Sequence, residues 1–214
     1  MKHNPALFTL YAVTDRTWLG ERTLAQVVEE ALAGGVTLLQ LREKGMPEEA
    51  FIQEARTLLP LCRRYRVPLI INDNVSVALR SGADGVHLGQ EDMPLREARR
   101  ILGPDKIIGI SARTVSDALR AEESGADYLG VGAVFSTSTK RDAAPVSRRT
   151  LREICAAVSI PVCAIGGITL ENAPTLAGTG IAGLAVVSAV FAAPDIEAAA
   201  QALHRAALAI VKEA

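Results

Sequence analysis

Five consecutive residues, Gln40-Leu41-Arg42-Glu43-Lys44, put an amide, two cations and a carboxylate at the end of an apolar run at 36–41. Strand side chains alternate, so Leu38, Gln40 and Arg42 share one face and Leu39 and Leu41 the other. A column that changes from Leu to Gln to Arg suits a strand whose inner face turns polar at its end. A buried structural ion pair is the plainer alternative. Lys44 follows directly, and such a cationic cluster calls for an anion. Asp73 and Asp92 each follow a further short apolar run. Two carboxylates on neighbouring loops can share a magnesium ion and leave its other positions to water and phosphate oxygens. The plain reading of Asp73 is N-capping of the helix that follows. Gly166-Gly167 would let backbone N–H groups approach a phosphate closely, although turn geometry alone also accounts for paired glycines. Ser188 closes the last apolar run, and Thr137-Ser138-Thr139-Lys140 adds three hydroxyls and a cation.

Other chemistries lack their residues. There is no Ser-His-Asp arrangement, zinc-ligand spacing or Walker-type loop, and Gly130-Val131-Gly132 lacks the third glycine and the helix context of a dinucleotide site. His87 lies within an apolar run, opposite Gln90 and Asp92 by parity, and reads as a packed, hydrogen-bonded histidine. Cys62, Cys155 and Cys163 read as free thiols of a reducing compartment, which places the chain in the cytoplasm. A net charge of −1 without a basic stripe argues against a nucleic-acid partner. No stretch suits a membrane span, and the start is too short and polar for a signal peptide.

The elements that must position these groups alternate along all 214 residues. Strands are expected at 7–13, 36–41, 68–71, 85–88, 106–110, 128–131, 161–165 and 183–187. Helices are expected at 23–33, 47–65, 75–81, 95–102, 115–124, 147–158, 170–177 and 196–211. Three of the helices end on Gly34-Gly35, Gly82 or Gly125, where a left-handed residue is wanted. Eight βα units in so short a chain favour one closed (β/α)8 barrel, a TIM barrel spanning 1–214, over an open sheet. Its core must be Ala, Val, Leu and Ile, since 49% of residues are apolar and only 4% aromatic. In this fold chemistry sits on the loops after the strands. Every expected strand does end near a reactive or phosphate-friendly group: Thr14-Asp15, Arg42, Asn72-Asp73, Gln90 to Asp92, Ser111, the Thr-rich loop, Gly166-Gly167 and Ser188.

Taken together these motifs resemble the thiamine phosphate synthase family. The resemblance runs from Tyr11-Ala-Val-Thr-Asp15 to Val187-Ser188 and includes Gln40-Leu-Arg-Glu-Lys44, Asn72-Asp73, Asp84-Gly-Val-His-Leu-Gly-Gln-Glu-Asp92, Gly109-Ile-Ser111, Thr137-Ser-Thr-Lys140 and Ala164-Ile-Gly-Gly-Ile168. It implies a transferase that joins hydroxymethylpyrimidine diphosphate to a thiazole phosphate, releases diphosphate and uses one Mg2+ per subunit. By position, Gln40, Arg42, Lys44, Asn72, Ser111 and Lys140 would hold the pyrimidine diphosphate, with Leu41 and Glu43 inside the same binding run. Asp73 and Asp92 would bind magnesium. Thr137, Thr139, Gly166, Gly167, Val187 and Ser188 would hold the thiazole phosphate, with Ser138 a further substrate-binding residue in the same loop. Arg42, Lys44, Ser111 and Lys140 would carry catalysis. Arg113 stands where a His is common, and Ala133 and Ser136 where prolines are common. Tyr11 and Phe135 are the candidates for stacking on the pyrimidine. The partners expected are small molecules, with a homo-oligomer left open. The rivals are a thiazole tautomerase of the same fold, a phosphosugar isomerase using Asp15, and a non-catalytic ligand-binding barrel.

Overall fold

The computed structural model describes residues 4–136 and 145–212. Eight parallel strands close into a barrel in sequence order: β1 (Leu10–Val13), β2 (Leu38–Leu41), β3 (Leu69–Asn72), β4 (Gly85–Leu88), β5 (Ile107–Ala112), β6 (Tyr128–Gly132), β7 (Val162–Ile165) and β8 (Gly183–Val186). Between and after them come α1 (Leu24–Ala33), α2 (Glu48–Tyr65), α3 (Val75–Ser81), α4 (Leu95–Leu102), α5 (Val115–Glu123), α6 (Arg148–Ala157), α7 (Ser188–Phe191) and α8 (Ile196–Lys212).

Strand alternation sorts the core into two layers. Tyr11, Val13, Leu38, Ile70, Ile107, Tyr128, Cys163 and Ala185 fill the barrel interior. Their sequence neighbours, such as Leu39, Leu41, Ile71, Ile108 and Leu129, pack outward with the helices. Parallel strands covered on both faces have no wet side, hence their near-continuous apolar runs.

Local signals set the helix ends. Thr23 with Gln26 and Thr114 with Asp117 form capping boxes at the starts of α1 and α5, and Ser147 caps α6. Gly82 takes the left-handed conformation directly after α3 (φ +81°). Gly35 and Gly125 do the same shortly after α1 and α5 (φ +95° and +92°).

Three expectations change. Residues 7–9 are not strand. Asn4 caps a 3₁₀ turn, Pro5–Phe8, whose Phe8 ring packs 5.0 Å from that of Tyr128 and closes the lower end of the barrel. The helix expected at 170–177 shrinks to a 3₁₀ turn, Ala173–Leu176, with Pro174 in its first turn and Gly178 just beyond. Ser188 opens the short helix α7 instead of lying in a loop.

Candidate functional site

The upper end of the barrel, where the strands finish, is built from the inward-facing column of each strand. On β2, Leu38 lies in the interior layer and Gln40 directly above it is buried. Arg42 is anchored by its backbone N–H donating to the Thr14 hydroxyl at 3.0 Å, and its guanidinium lies 3.5 Å from the Asp15 carboxylate. Asp15 is thus occupied, since it also caps a 3₁₀ turn through the Thr17 amide. That engagement does not favour an isomerase acid–base pair built on it. Lys44 is exposed just beyond Arg42.

Within the same run, the Leu41 side chain packs into the outer core layer and cannot line the site. The Glu43 carboxylate accepts two hydrogen bonds from Arg16 Nε, at 2.8 and 3.0 Å. These two positions can offer a ligand backbone groups only.

Strands β3 and β4 are paired, with Asn72 opposite His87. The Asp73 amide donates to the His87 carbonyl at 2.8 Å, and Asp73 sits in the left-handed region (φ +62°). Asn74, not Asp73, caps α3 through the Val77 amide at 2.9 Å, so capping does not explain Asp73. Asp92 folds back from the next loop, and its carboxylate accepts from the Gly89 amide at 2.6 Å. The two candidate metal carboxylates therefore rise from adjacent strand ends. Among the described residues no group of three or more His, Cys, Asp or Glu side chains gathers as a metal cluster. A pair of hard oxygen ligands completed by water and phosphate oxygens is nonetheless the usual way magnesium is held.

Ser111 lies on β5, and its backbone carbonyl accepts from Gln90 Nε2 at 2.6 Å. Its hydroxyl lies 3.0 Å from His87 Nε2. His87 is packed and hydrogen-bonded as expected. Its ring, however, points into the barrel, because β4 ends at Leu88 and strand parity does not extend through the turn to Gln90 and Asp92.

Gly166 and Gly167 have φ of +101° and +64°. They press against the loop after β6: the Phe135 amide donates to the Gly166 carbonyl at 3.0 Å, and a Cβ on Gly167 would meet the Ser136 carbonyl oxygen at 2.3 Å. Asn172 Nδ2 donates to the Gly167 carbonyl at 2.9 Å. Phe135 is half-buried over these glycines, whereas Tyr11 is buried beneath the site. Val187 precedes α7, which starts at Ser188. Thr137, Ser138, Thr139 and Lys140 lie outside the described residues. The loop segment before them, Ala133 to Ser136, sits between β2–β5 and the Gly166-Gly167 turn in strand order.

Sequence reasoning missed the interior hydrogen bonds beneath this rim. Gln40 Nε2 donates to the Tyr11 hydroxyl, which lies 2.7 Å from the Tyr128 hydroxyl, which lies 2.9 Å from His87 Nδ1. The signal was present in Gly109 and Gly130. A Cβ on Gly109 would lie 2.1 Å from Tyr128 Cζ, and one on Gly130 3.0 Å from His87 Cε1.

Comparison with known proteins points to one family. A family profile described as thiamine monophosphate synthase matches residues 10–190. A thiamine-phosphate synthase of Ruminiclostridium cellulolyticum is 53% identical over 196 residues, covering 92% of this chain and 93% of that protein. One from Clostridium tetani is 48% identical over 202 residues, covering 94% and 97%. A thiamine phosphate pyrophosphorylase structure from Pyrococcus furiosus superimposes with a TM-score of 0.90 at 41% identity, covering 97% of this chain and 98% of that one. A KGPDC from Streptococcus mutans (TM-score 0.69, 14% identity) shares the barrel fold.

Proposed function

The chain belongs to the thiamine monophosphate synthase family, and from that premise we propose how its rim carries out that family's transferase reaction. The observation that supports this most is the convergence of Gln40, Arg42, Asn72 and Ser111 at one end of the barrel, beside two acidic residues on adjacent strand ends. Hydroxymethylpyrimidine diphosphate occupies the β2–β5 side. Arg42 and Lys44, joined by Lys140, lie against its diphosphate, and Gln40, Asn72 and Ser111 hold the rest of the molecule. The thiazole phosphate takes the other side, its phosphate on the backbone amides around Gly166, Gly167, Val187 and Ser188 and on the hydroxyls of Thr137, Ser138 and Thr139.

The bond between the exocyclic carbon and the diphosphate oxygen breaks, and the electron pair leaves with the diphosphate. The aminopyrimidine ring spreads the positive charge. The thiazole nitrogen lone pair then forms the new C–N bond. No proton need move, so the site needs no general base. Its work is to neutralise the leaving group and hold two reactants in contact. Asp73 and Asp92 would hold magnesium, which when bound adds charge neutralisation at the diphosphate. Arg42 is suited to its part because Thr14 and Asp15 fix its position before any substrate arrives.

We also assign the protein to the cytoplasm. The free cysteines support a reducing compartment, and no helix among the described residues is long and apolar enough to cross a membrane.

The test is direct. Purified protein with both substrates and magnesium should yield thiamine phosphate and diphosphate in equal amounts. Saturable binding of either substrate without product would sink the assignment in favour of a ligand-binding barrel.

A further inference from the structure

Five side chains from five strands form one hydrogen-bonded chain across the barrel: Gln40 on β2, Tyr11 on β1, Tyr128 on β6, His87 on β4 and Ser111 on β5. Its two ends are groups placed above on the pyrimidine diphosphate. Its three middle members have no part in the proposed chemistry. Tyr11 and Tyr128 are wholly buried, and burial holds both phenols well above their ordinary range, so each carries one proton.

The orientation of the Gln40 amide, with Nε2 facing the Tyr11 hydroxyl, gives the chain a direction. Gln40 Nε2 can only donate, so the Tyr11 oxygen accepts from it. The acceptor placed for the Tyr11 proton is the Tyr128 oxygen, and stranding a buried O–H is costly. Tyr128 must then give its own proton to His87 Nδ1. With Nδ1 accepting, His87 carries its hydrogen on Nε2 and donates to the Ser111 oxygen. The Ser111 proton is thereby released toward some other acceptor. At the far end the Gln40 amide nitrogen is committed downward, which leaves its oxygen as the acceptor for a ligand. The barrel makes room for this arrangement, since a side chain at Gly109 would collide with Tyr128 and one at Gly130 would crowd His87.

We propose that Tyr11, Tyr128 and His87 are positioning residues, a one-way hydrogen-bond chain that holds the Gln40 amide as an acceptor and the Ser111 hydroxyl as a donor. The pyrimidine subsite would then favour a heterocycle with a donor facing Gln40 and an acceptor facing Ser111. The claim rests on the substrate assignment made above, but its first test does not.

In ligand-free protein, side-chain ¹⁵N signals of His87 should show the hydrogen on Nε2. Tyr128→Phe removes one oxygen and keeps the ring against Gly109. It should shift those signals and raise KM for the pyrimidine diphosphate about tenfold, with KM for the thiazole phosphate unchanged. Tyr11→Phe should raise the same KM and provides a second variant if Tyr128→Phe does not fold. A hydrogen on His87 Nδ1 in the parent protein overturns the proposal. So does a Tyr128→Phe or Tyr11→Phe enzyme whose two KM values rise together or do not move. If the parent protein makes no thiamine phosphate, the substrate assignment fails, and the nitrogen signals of the parent and of Tyr128→Phe still decide the direction of the chain.

Discussion

Replacing Gly167 with Ala tests whether the loop after β7 positions the loop after β6. Two costs can be separated. Gly167 has φ +64°, and a side chain in the left-handed region costs about 1–2 kcal/mol wherever it stands. The second cost is specific to the site. The new Cβ would lie 2.3 Å from the Ser136 carbonyl oxygen and 2.9 Å from Phe135 Cβ, whereas ordinary contact begins at 3.4 Å. The neighbouring backbone must move by about an ångström, and Ser136 directly precedes Thr137 to Lys140 in the chain. A misplacement of about 1 Å can cost on the order of 100-fold in rate. Gly178→Ala is the matched control: its φ is +69° and nothing lies within 4 Å of the added carbon. Both variants should lose a few degrees of thermal stability, about 2–4 °C per kcal/mol for a chain of this size. Only Gly167→Ala should lose about 100-fold in kcat/KM, read by diphosphate release with each substrate varied in turn. If the two variants differ by less than about threefold in kcat/KM, the coupling of these loops is wrong, because the same displacement argument predicts tens-fold or more.

Further outcomes follow from the same structure. Asp92→Ala and Lys140→Ala should keep the parent's far-UV circular dichroism and melting cooperativity while losing at least about tenfold in turnover; near-normal turnover in both would refute the site assignment. Chelating divalent metal should abolish product formation, and magnesium alone should restore it. Asp117→Ala should cost about 1 kcal/mol at neutral pH by opening the capping box of α5. Burial raises the Asp117 pKa, but the Thr114 hydroxyl, the amides of Arg113 and Thr114, and Arg120 outweigh it and hold the carboxyl below its ordinary range. Because the folded value is depressed, this contribution is present above the ordinary aspartate range and lost as pH falls through the folded value. The difference from the parent in urea melts should therefore hold through the ordinary aspartate range and close only as pH falls below it. Burial pushes the thiols of Cys62 and Cys155 up to about 12 and about 11, and that of Cys163 higher still. An aromatic disulfide should label at most Cys155, the half-buried one, in folded protein and all three after unfolding.

The barrel was legible because its periods are strong. Leu38, Gln40 and Arg42 alternate with Leu39 and Leu41, and that alternation alone separated the interior layer from the outer one. The misread elements share a physical cause, which is that length and capping outweigh apolar content. Leu7 and Phe8 look like strand residues, but Pro5 and the Asn4 side chain start a 3₁₀ turn that ends at Phe8. The segment at 170–177 has helical spacing but carries Pro174 and meets Gly178 before a second turn can form. Individual side chains were harder to place. Glu43 sits among site residues in sequence, yet Arg16, arriving from the loop after β1, turns its carboxylate away from the site. No local pattern around Glu43 encodes a partner 27 residues earlier.

The interior chain was hidden for a deeper reason. Each of its three middle members reads locally as an ordinary core residue: a Tyr in an apolar run or a His between Val86 and Leu88. Only the barrel register brings them together. Pairing places Tyr11 opposite Leu38, and so one layer below Gln40, and sets Gly109 beside Tyr128 and Gly130 beside Ser111. A closed barrel has one interior, so any polar group pointing inward must find its partner among the inward groups of the other strands or be left unsatisfied at a cost of about 1–3 kcal/mol. Among the described residues no buried side-chain polar atom lacks a partner. The same constraint ties stability to function here: the bonds that satisfy Tyr11 and Tyr128 within the core are the bonds that orient Gln40 and Ser111 at its surface. A substitution that removes one phenol oxygen should therefore register twice, as a loss of stability and as a loss of pyrimidine affinity, and the ratio of the two should be similar for Tyr11→Phe and Tyr128→Phe.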